Sequence, residues 1–287
     1  MKTNTLPNTE EIRSHVRERY GAIAEQAGED CGCAPTCCAP AGTATNKPAS
    51  AAAAPQSCCA TAAGGESYGE KLGYSADELN AAPAGSELGL GCGNPLAIAS
   101  IKPGETVLDL GSGAGFDCFL AARQLAGTGR VIGVDMTPAM ITKARANAAK
   151  GGYPNVEFRL GEIEALPVAD TSVDLILSNC VINLSPEKER VFREAFRVLK
   201  PGGRLALADI VATKPVPLEI RGKLDAIGAC VGGAALVDDL RTMLTQAGFT
   251  KVDIALKEAS RELIRQWTDD ATAGDFVVSA LITAHKA

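Results

Sequence analysis

Short apolar runs alternate with helical periodicity through the middle of the chain. Runs of strand length occupy residues 105–110, 130–135, 155–160, 173–179 and 203–209. Apolar positions at three- and four-residue spacing predict intervening helices over residues 116–126, 138–150 and 186–199. Thr137-Pro138 and Ser185-Pro186 each offer an N-cap residue followed by a proline suited to the first helical position. This alternation is typical of a parallel, doubly wound α/β sheet.

The periodicity continues on both sides of this core. Upstream, Ile12, Val16, Tyr20 and Ile23 fall at helical spacing and predict an amphipathic helix over residues 9–27. The elements predicted downstream are helices over residues 217–229 and 238–247 and strands over residues 251–256 and 276–284. The chain therefore carries further elements at both ends of the alternating core.

Composition divides the chain into four segments. Residues 39–63 are rich in alanine and proline and carry hardly any charge, which is typical of a poorly ordered linker. We therefore expect an N-terminal helix and cysteine-rich segment over residues 1–38, followed by the linker and a connector over residues 39–82. The alternating core is expected over residues 83–215, and a small C-terminal extension over residues 216–287.

Charge and hydropathy restrict the class of protein. The chain has 287 residues, of which 46% are hydrophobic, enough to bury a sizeable core. The net charge of −6 and the lack of a basic patch argue against nucleic acid as a partner. No apolar run reaches the roughly 18 residues that a membrane helix needs, and residues 1–20 are polar. We therefore expect a cytoplasmic protein without a membrane partner.

Cysteine is abundant and histidine is scarce. Ten cysteines in a chain expected to be cytoplasmic indicate metal binding or redox chemistry rather than a disulfide framework. The two histidines, His15 and His285, lie near the ends of the chain. This placement argues against a serine–histidine–aspartate mechanism and against a histidine-rich zinc site.

A glycine-rich loop follows the first predicted strand. Gly111, Gly113 and Gly115 stand between that strand and the next helix, where glycine lets the backbone turn tightly and approach a ligand. The spacing differs from the dinucleotide fingerprint, because residue 116 is phenylalanine. Asp135 ends the second predicted strand, where a carboxylate can accept hydrogen bonds from both hydroxyls of a ribose. These features together predict a nucleoside cofactor.

Residues 100–210 resemble the class I S-adenosylmethionine-dependent methyltransferases. The resemblance lies in Asp109-Leu110-Gly111-Ser112-Gly113-Ala114-Gly115, Asp135, Gly161-Glu162-Ile163-Glu164 and Val198-Leu199-Lys200-Pro201-Gly202-Gly203. It implies a Rossmann-like, mostly parallel seven-stranded sheet with helices on both faces and an antiparallel last strand. It also implies that Asp135 holds the ribose and that the backbone near Glu162 faces the adenine. The cofactor-binding residues expected on this basis are Asp109, Gly111, Ser112, Gly113, Gly115, Asp135, Met136, Glu162, Ile163 and Asn179.

Three cysteines stand in settings that suit ligand-binding loops. Cys92 and Cys230 are flanked by glycine, and Cys180 follows the apolar run at residues 173–179. Parallel sheets bind ligands beyond the carboxyl ends of their strands, so Cys180 is expected beside the cofactor crevice. Cys118 has no such setting and is expected to be a small buried core residue.

Three thiolates that converge on one point would select a soft centre. Trivalent arsenic suits them chemically, because it bonds three sulfurs and keeps a lone pair. That lone pair could attack the methyl group of a sulfonium without a protein base, given proximity and a dry site.

The motifs around these cysteines resemble those of the arsenite methyltransferases. The matching stretches are Leu90-Gly91-Cys92-Gly93-Asn94-Pro95, Ser178-Asn179-Cys180-Val181-Ile182-Asn183-Leu184, Cys230-Val231-Gly232-Gly233-Ala234 and Arg17-Glu18-Arg19-Tyr20-Gly21. The resemblance implies that Cys92, Cys180 and Cys230 bind arsenite, free or thiol-conjugated, and serve the redox turnover of a detoxification enzyme. A thiol reductant, thioredoxin or glutathione, is then expected to regenerate the cysteines.

The resemblance also implies that an N-terminal cysteine can pair with Cys92 during the cycle. Spacing does not single out that residue, and Cys31, Cys33, Cys37 and Cys38 all remain candidates for redox or arsenic binding. Two other functions stay open at this point. A methyltransferase with an organic acceptor would use the same loop but leave the three cysteines unexplained. A thiol-rich sequestration or sensing protein would explain the cysteines but not the loop.

Overall fold

The computed structural model describes residues 6–26, 67–267 and 272–287. Four cysteines belong to these ranges, Cys92, Cys118, Cys180 and Cys230, and all four are buried and free. The predicted cysteine-rich segment with Cys31, Cys33, Cys37 and Cys38, and the linker with its Cys58-Cys59 pair, lie outside the described residues.

Seven strands form one sheet in the order β3-β2-β1-β4-β5-β7-β6. The strands are β1 (Thr106–Leu110), β2 (Arg130–Asp135), β3 (Val156–Leu160), β4 (Val173–Asn179), β5 (Leu199–Ala212), β6 (Thr250–Lys257) and β7 (Val277–His285). The first five strands pair in parallel, and β7 runs antiparallel to both of its neighbours, β5 and β6. The expected seven-stranded Rossmann-like sheet with an antiparallel last strand is confirmed.

Helices precede, connect and follow the strands. They are α1 (Thr9–Gln26), α2 (Tyr68–Lys71), α3 (Ala76–Ala81), α4 (Leu96–Ala99), α5 (Phe116–Gln124), α6 (Pro138–Gly151), α7 (Lys188–Val198), α8 (Leu218–Arg221), α9 (Leu224–Gly228), α10 (Val237–Gln246) and α11 (Ser260–Ile264). Two 3₁₀ turns lie at Ile182–Leu184 and Ala273–Asp275. The predicted N-terminal helix is confirmed as α1, and α2 and α3 lie in the connector that follows the linker.

Alternate residues of the central strands bury against helices on opposite faces of the sheet, as strand geometry requires. On β1, Val107 joins a cluster with residues of α4, α5 and α6. The next residue, Leu108, joins a second cluster that contains Phe192 of α7 and Leu240 of α10. The sheet thus separates two apolar layers, which accounts for the nearly continuous apolar runs of its strands.

Two predicted helix boundaries are wrong. Ser185 is not the N-cap of α7, because the helix begins at Lys188 and Glu187 takes the cap position. The Ser185 hydroxyl instead donates to Glu164 Oε1 at 2.6 Å and accepts from the Glu187 amide at 3.0 Å. The helix expected over residues 217–229 is divided into α8 and α9, because Lys223 between them adopts an extended backbone.

Within the described ranges, no helix is both long enough and apolar enough to cross a membrane.

The buried face of β4 should contribute strongly to stability. Leu177 is fully buried, so Leu177→Ala should lower the free energy of unfolding by about 2–5 kcal/mol through lost burial and a residual cavity. Leu256 on β6 is 40% exposed, and the matched change Leu256→Ala should cost no more than about 0.5 kcal/mol. Urea unfolding followed by circular dichroism measures both values, and equal losses would contradict this placement of the core.

Candidate active site

The strand order reverses between β1 and β4, which are neighbours in the sheet. The chain runs outward from β1 through β2 to β3 on one side and from β4 to β5 on the other. The segments that leave the carboxyl ends of β1 and β4 therefore flank one crevice, the usual ligand position in open α/β sheets. The glycine loop (residues 111–115) leaves β1, and the thiol turn (residues 180–185) leaves β4.

The glycine loop touches the thiol turn directly. Gly111 has a φ of +67°, and a Cβ added there would lie 2.4 Å from Cγ2 of Val181. The left-handed backbone and the lack of space therefore both require glycine at this position. Asp135, at the end of β2, accepts hydrogen bonds from the amides of Gly113 at 3.0 Å and Thr137 at 2.8 Å. Burial raises the pKa of this carboxyl group.

A cavity of about 540 Å³ opens between these segments. Ten of the predicted site residues line it: Asp109, Gly111, Ser112, Gly113, Asp135, Met136, Ile163, Asn179, Cys180 and Cys230. The volume lies in the roughly 300–1,000 Å³ range typical of small-molecule sites. The Ser112 hydroxyl at its wall is buried and has no hydrogen-bond partner among the described residues. A buried hydroxyl of this kind fits a polar ligand that supplies the missing bond.

Three predicted site residues do not line the cavity. Gly115 lies at the start of α5, where a Cβ would come within 2.6 Å of the Phe158 ring, so it serves helix packing. Glu162 turns toward α1 and pairs with Arg17 at 3.5 Å. Cys92 is buried next to Cys180 and is not among the residues that line the cavity.

The thiols of Cys92 and Cys230 both lie next to Cys180. The neighbouring thiols of Cys230 and Cys92, together with burial, hold the pKa of Cys180 well above its usual range. Burial also raises the pKa of Cys92. The Sγ atoms of Cys92 and Cys180 and a carboxylate oxygen of Asp209 all lie within 4.8 Å of one another. In this arrangement Cys180 is the central thiol of the group.

Two of these cysteines have an unusual backbone. Cys180 has a φ of +60° and Cys230 a φ of +62°, in the left-handed region that residues other than glycine rarely occupy. Cys180 donates its amide to the Ala208 carbonyl at 2.8 Å, and Cys230 donates its thiol to the Cys180 carbonyl at 2.9 Å. Strained backbone of this kind persists only where the surroundings enforce it, and it concentrates at functional sites.

Asn179 holds the loop that carries Cys92. Its Oδ1 accepts the Cys92 amide at 3.0 Å, while its Nδ2 donates to the Gly93 carbonyl at 2.8 Å and to the Tyr74 hydroxyl at 3.0 Å. Asp117 Oδ2 accepts a further bond from Nδ2 at 3.3 Å. The amide of Asn179 is therefore engaged with the protein, and a contact with the cofactor remains a prediction.

Cys118 stays apart from this group. It lies on α5 and donates its thiol to Asp109 Oδ2 at 3.2 Å. Burial, followed by the nearby Asp109 carboxylate, raises the pKa of this thiol well above its usual range. The expectation of a buried core cysteine is confirmed.

The structure adds residues that the sequence analysis did not select. Asp209 of β5 is buried beside Cys92 and Cys180, and burial raises its pKa to about 7. Lys188 lies next to the thiol turn, and burial lowers the pKa of its ammonium group to about 8. A buried aspartate near the end of an apolar strand, as at Asp135, is a signal that could have identified Asp209.

Helix α1 covers one side of the crevice through ion pairs. Arg13 pairs with Glu187 at 2.7 Å and with Glu164 at 3.6 Å, and Glu164 in turn accepts the Ser185 hydroxyl. Tyr20 of the same helix donates its hydroxyl to the Gly228 carbonyl at 3.2 Å. The helix thereby connects the thiol turn with the segment that precedes Cys230.

Comparison with known proteins identifies the family of the chain. Residues 101–248 match the family model described as a methyltransferase domain. The chain is 52% identical to an arsenite methyltransferase of Halobacterium salinarum over 96% of its own length and 67% of the relative. It is 44% identical to an arsenite methyltransferase of Aquipseudomonas alcaligenes, but over only 56% of its own length and 48% of that relative. It therefore spans about half the length of the second protein.

A solved structure extends the comparison to the fold. The crystal structure of an arsenic (III) S-adenosylmethionine methyltransferase from Chlamydomonas reinhardtii superposes with a TM-score of 0.58 at 31% identity. That match covers 78% of this chain and 75% of the algal chain. The family model, the relative from Halobacterium salinarum and the solved structure together show the family of the chain. It belongs to the arsenite methyltransferase family of class I S-adenosylmethionine-dependent methyltransferases.

Proposed function

We propose that this chain transfers methyl groups from S-adenosylmethionine to trivalent arsenic bound by Cys92, Cys180 and Cys230, as a step in arsenic detoxification. The observation that carries the proposal is that the buried Cys92 and Cys230 lie next to Cys180, which lines the crevice beside the glycine loop. Soft thiol ligands favour soft centres, and family membership favours arsenite, free or thiol-conjugated, over other soft centres.

The protonation of the thiols suits arsenite as the substrate. Burial raises the pKa of Cys92, and the neighbouring thiols together with burial raise the pKa of Cys180, so both favour the protonated form. Each thiol that bonds arsenic replaces one hydroxyl group of arsenous acid, and its proton leaves with that hydroxyl as water. Three such exchanges leave an uncharged arsenic–thiolate group, which can stay in a buried site without an unpaired charge.

The cofactor site is proposed at the glycine loop. Asp135 would hold the ribose hydroxyls, and Ser112, Met136 and Ile163 would line the nucleoside pocket. When bound, S-adenosylmethionine supplies an electrophilic methyl group on a sulfonium centre. The protein's own contribution is to hold the arsenic lone pair near that pocket and to exclude water, and it needs no general base.

A redox step is proposed for the remaining cysteines. Methyl transfer to the arsenic lone pair leaves pentavalent arsenic, and Cys92 with one thiol among Cys31, Cys33, Cys37 and Cys38 would supply the two electrons that return it to the trivalent state. Thioredoxin or glutathione would then reduce the resulting disulfide. The cytoplasm is the proposed compartment, because cysteines stay reduced there.

Turnover of the purified full-length chain tests the proposed function. With S-adenosylmethionine, arsenite and a thiol reductant, we expect methylated arsenic and S-adenosylhomocysteine in proportion, measured by chromatography with arsenic-specific detection. Turnover with a phenol or quinone but not with arsenite would instead identify an organic acceptor. Arsenite binding without cofactor consumption would identify a sequestration protein.

Cys180 should be essential because it is the central thiol. Cys180→Ser should lower the rate of arsenite methylation by at least about a hundredfold, the upper range for disturbing a metal site, while S-adenosylmethionine still binds. The matched control is Cys118→Ser, which should keep most of the activity, because a serine hydroxyl can still donate to Asp109. Full activity of the Cys180 variant would exclude the three-thiol site.

Asp135 should determine cofactor affinity. Asp135→Ala should raise the dissociation constant for S-adenosylmethionine at least about tenfold, because a hydrogen bond to a charged group contributes about 1.5–3 kcal/mol. Isothermal titration calorimetry measures this constant, with Asp253→Ala, at an exposed position of β6, as the control. An unchanged constant in the Asp135 variant would contradict the ribose contact.

A further inference from the structure

The thiol turn lies between an acidic and a basic side chain. Asp209, on β5, is 3% exposed and accepts the Ile182 amide at 2.9 Å through Oδ2. Its Oδ1 accepts the Asn183 side-chain amide at 2.9 Å and the Ile210 amide at 2.7 Å. The carboxylate therefore binds the N–H side of the turn directly after Cys180.

Lys188, the first residue of α7, binds the other side of the turn. Its Nζ donates to the Ser185 carbonyl at 2.8 Å and lies 3.5 Å from the Asn183 carbonyl. Hydrogen bonds from the amides to Asp209 and from Lys188 to the carbonyls restrain the peptide groups of the turn. The side chain of Lys188, at the start of α7, therefore points toward the thiol turn.

The position of this turn determines the placement of two of the three thiols. Cys180 stands at its beginning with a left-handed backbone. Gly233 packs so closely on the turn that a Cβ there would lie 2.1 Å from the Asn183 carbonyl oxygen, which fixes the loop that carries Cys230. A shift of Asn183 would therefore move Cys180 and Cys230 together.

The contacts of Asp209 indicate a supporting role rather than a ligand role. The carboxylate lies within 4.8 Å of the Sγ atoms of Cys92 and Cys180, but both of its oxygens already accept N–H groups. Trivalent arsenic is satisfied by three sulfurs and does not need a fourth ligand.

We propose that Asp209 and Lys188 are positioning residues that hold the thiol turn so that Cys180 and Cys230 converge with Cys92 on one arsenic atom. This assignment rests on the proposed function. Residues that support metal ligands from behind typically contribute about 10- to 100-fold in metal affinity or activity, and we expect effects of that size here.

The test compares Asp209→Asn and Lys188→Met with substitutions at the far end of the same sheet. The controls are Glu105→Gln and Lys200→Met, which break the Arg204–Glu105 and Lys200–Asp174 ion pairs, both formed at 2.7 Å. In the full-length chain we expect Asp209→Asn and Lys188→Met to weaken arsenite affinity and raise KM for arsenite at least about tenfold. The dissociation constant for S-adenosylmethionine should change less than about twofold in all four variants.

Rescue by the conservative change separates positioning from general stability. Lys188→Arg keeps a cation that can donate to both carbonyls, so it should restore most of the arsenite affinity. Arsenite affinity in Lys188→Met equal to that of Lys200→Met would overturn the proposal, as would a parallel loss of cofactor affinity. Should Asp209→Asn fail to fold, the two Lys188 variants decide the question.

Failure of the proposed function gives a different pattern. A wild-type chain that binds arsenite in equilibrium dialysis but yields no methylated product would refute the methyltransferase activity. The ratio of arsenite affinities between variant and wild type would still decide the role of Asp209 and Lys188. A wild-type chain that does not bind arsenite would refute both.

Discussion

The exit of β4 is the constraint on which the whole site depends. Because β4 lies between β1 and β5, the backbone that leaves it must pass the glycine loop on one side and Asp209 on the other. Val181 fills the space that a side chain at position 111 would need, and Cys180 forms a hydrogen bond with the β5 backbone. One short turn therefore fixes the distance between the cofactor crevice and the thiols.

Burial accounts for the chemistry of the thiol group. Burial favours the neutral form of the Cys92 and Cys180 thiols, and arsenite accepts neutral thiols with release of water. The same burial leaves each polar group near the turn dependent on a protein partner, which explains the dense bonding of Asp209, Asn179 and Cys230. Catalysis in such a site depends on position and dryness rather than on a proton-transfer group.

The local patterns of the sequence predict most of the fold. Strand β4 and strand β2 begin and end where their apolar runs do, because buried parallel strands are apolar on both faces. The start of α7 could not be predicted in this way, since Ser185 bonds to Glu164, which is distant in the sequence. The orientation of Lys188 could not be predicted either, because only tertiary packing reveals that its ammonium group turns inward.

The site residues divide in the same way, into those with a local sequence signature and those whose role depends on tertiary contacts. Gly111 and Asp135 are recognisable because the loop and strand end next to them have a local signature. The loop settings of Cys92, Cys180 and Cys230 and a family resemblance suggest that they act together, but residues so far apart in the chain meet only in the folded sheet. Asp209 was missed because its role, like that of Glu162 toward α1, depends on contacts between distant segments.

The central claim is that Cys92, Cys180 and Cys230 bind one arsenic atom together. X-ray absorption at the arsenic K-edge tests it most directly, on the full-length chain with Cys31, Cys33, Cys37, Cys38, Cys58 and Cys59 replaced by serine and loaded with arsenite. The account predicts one arsenic per chain with three sulfur neighbours, and the loss of one sulfur when any of the three cysteines is also replaced by serine. Two or fewer sulfurs in the starting protein, or an unchanged sulfur count without Cys180, would contradict it.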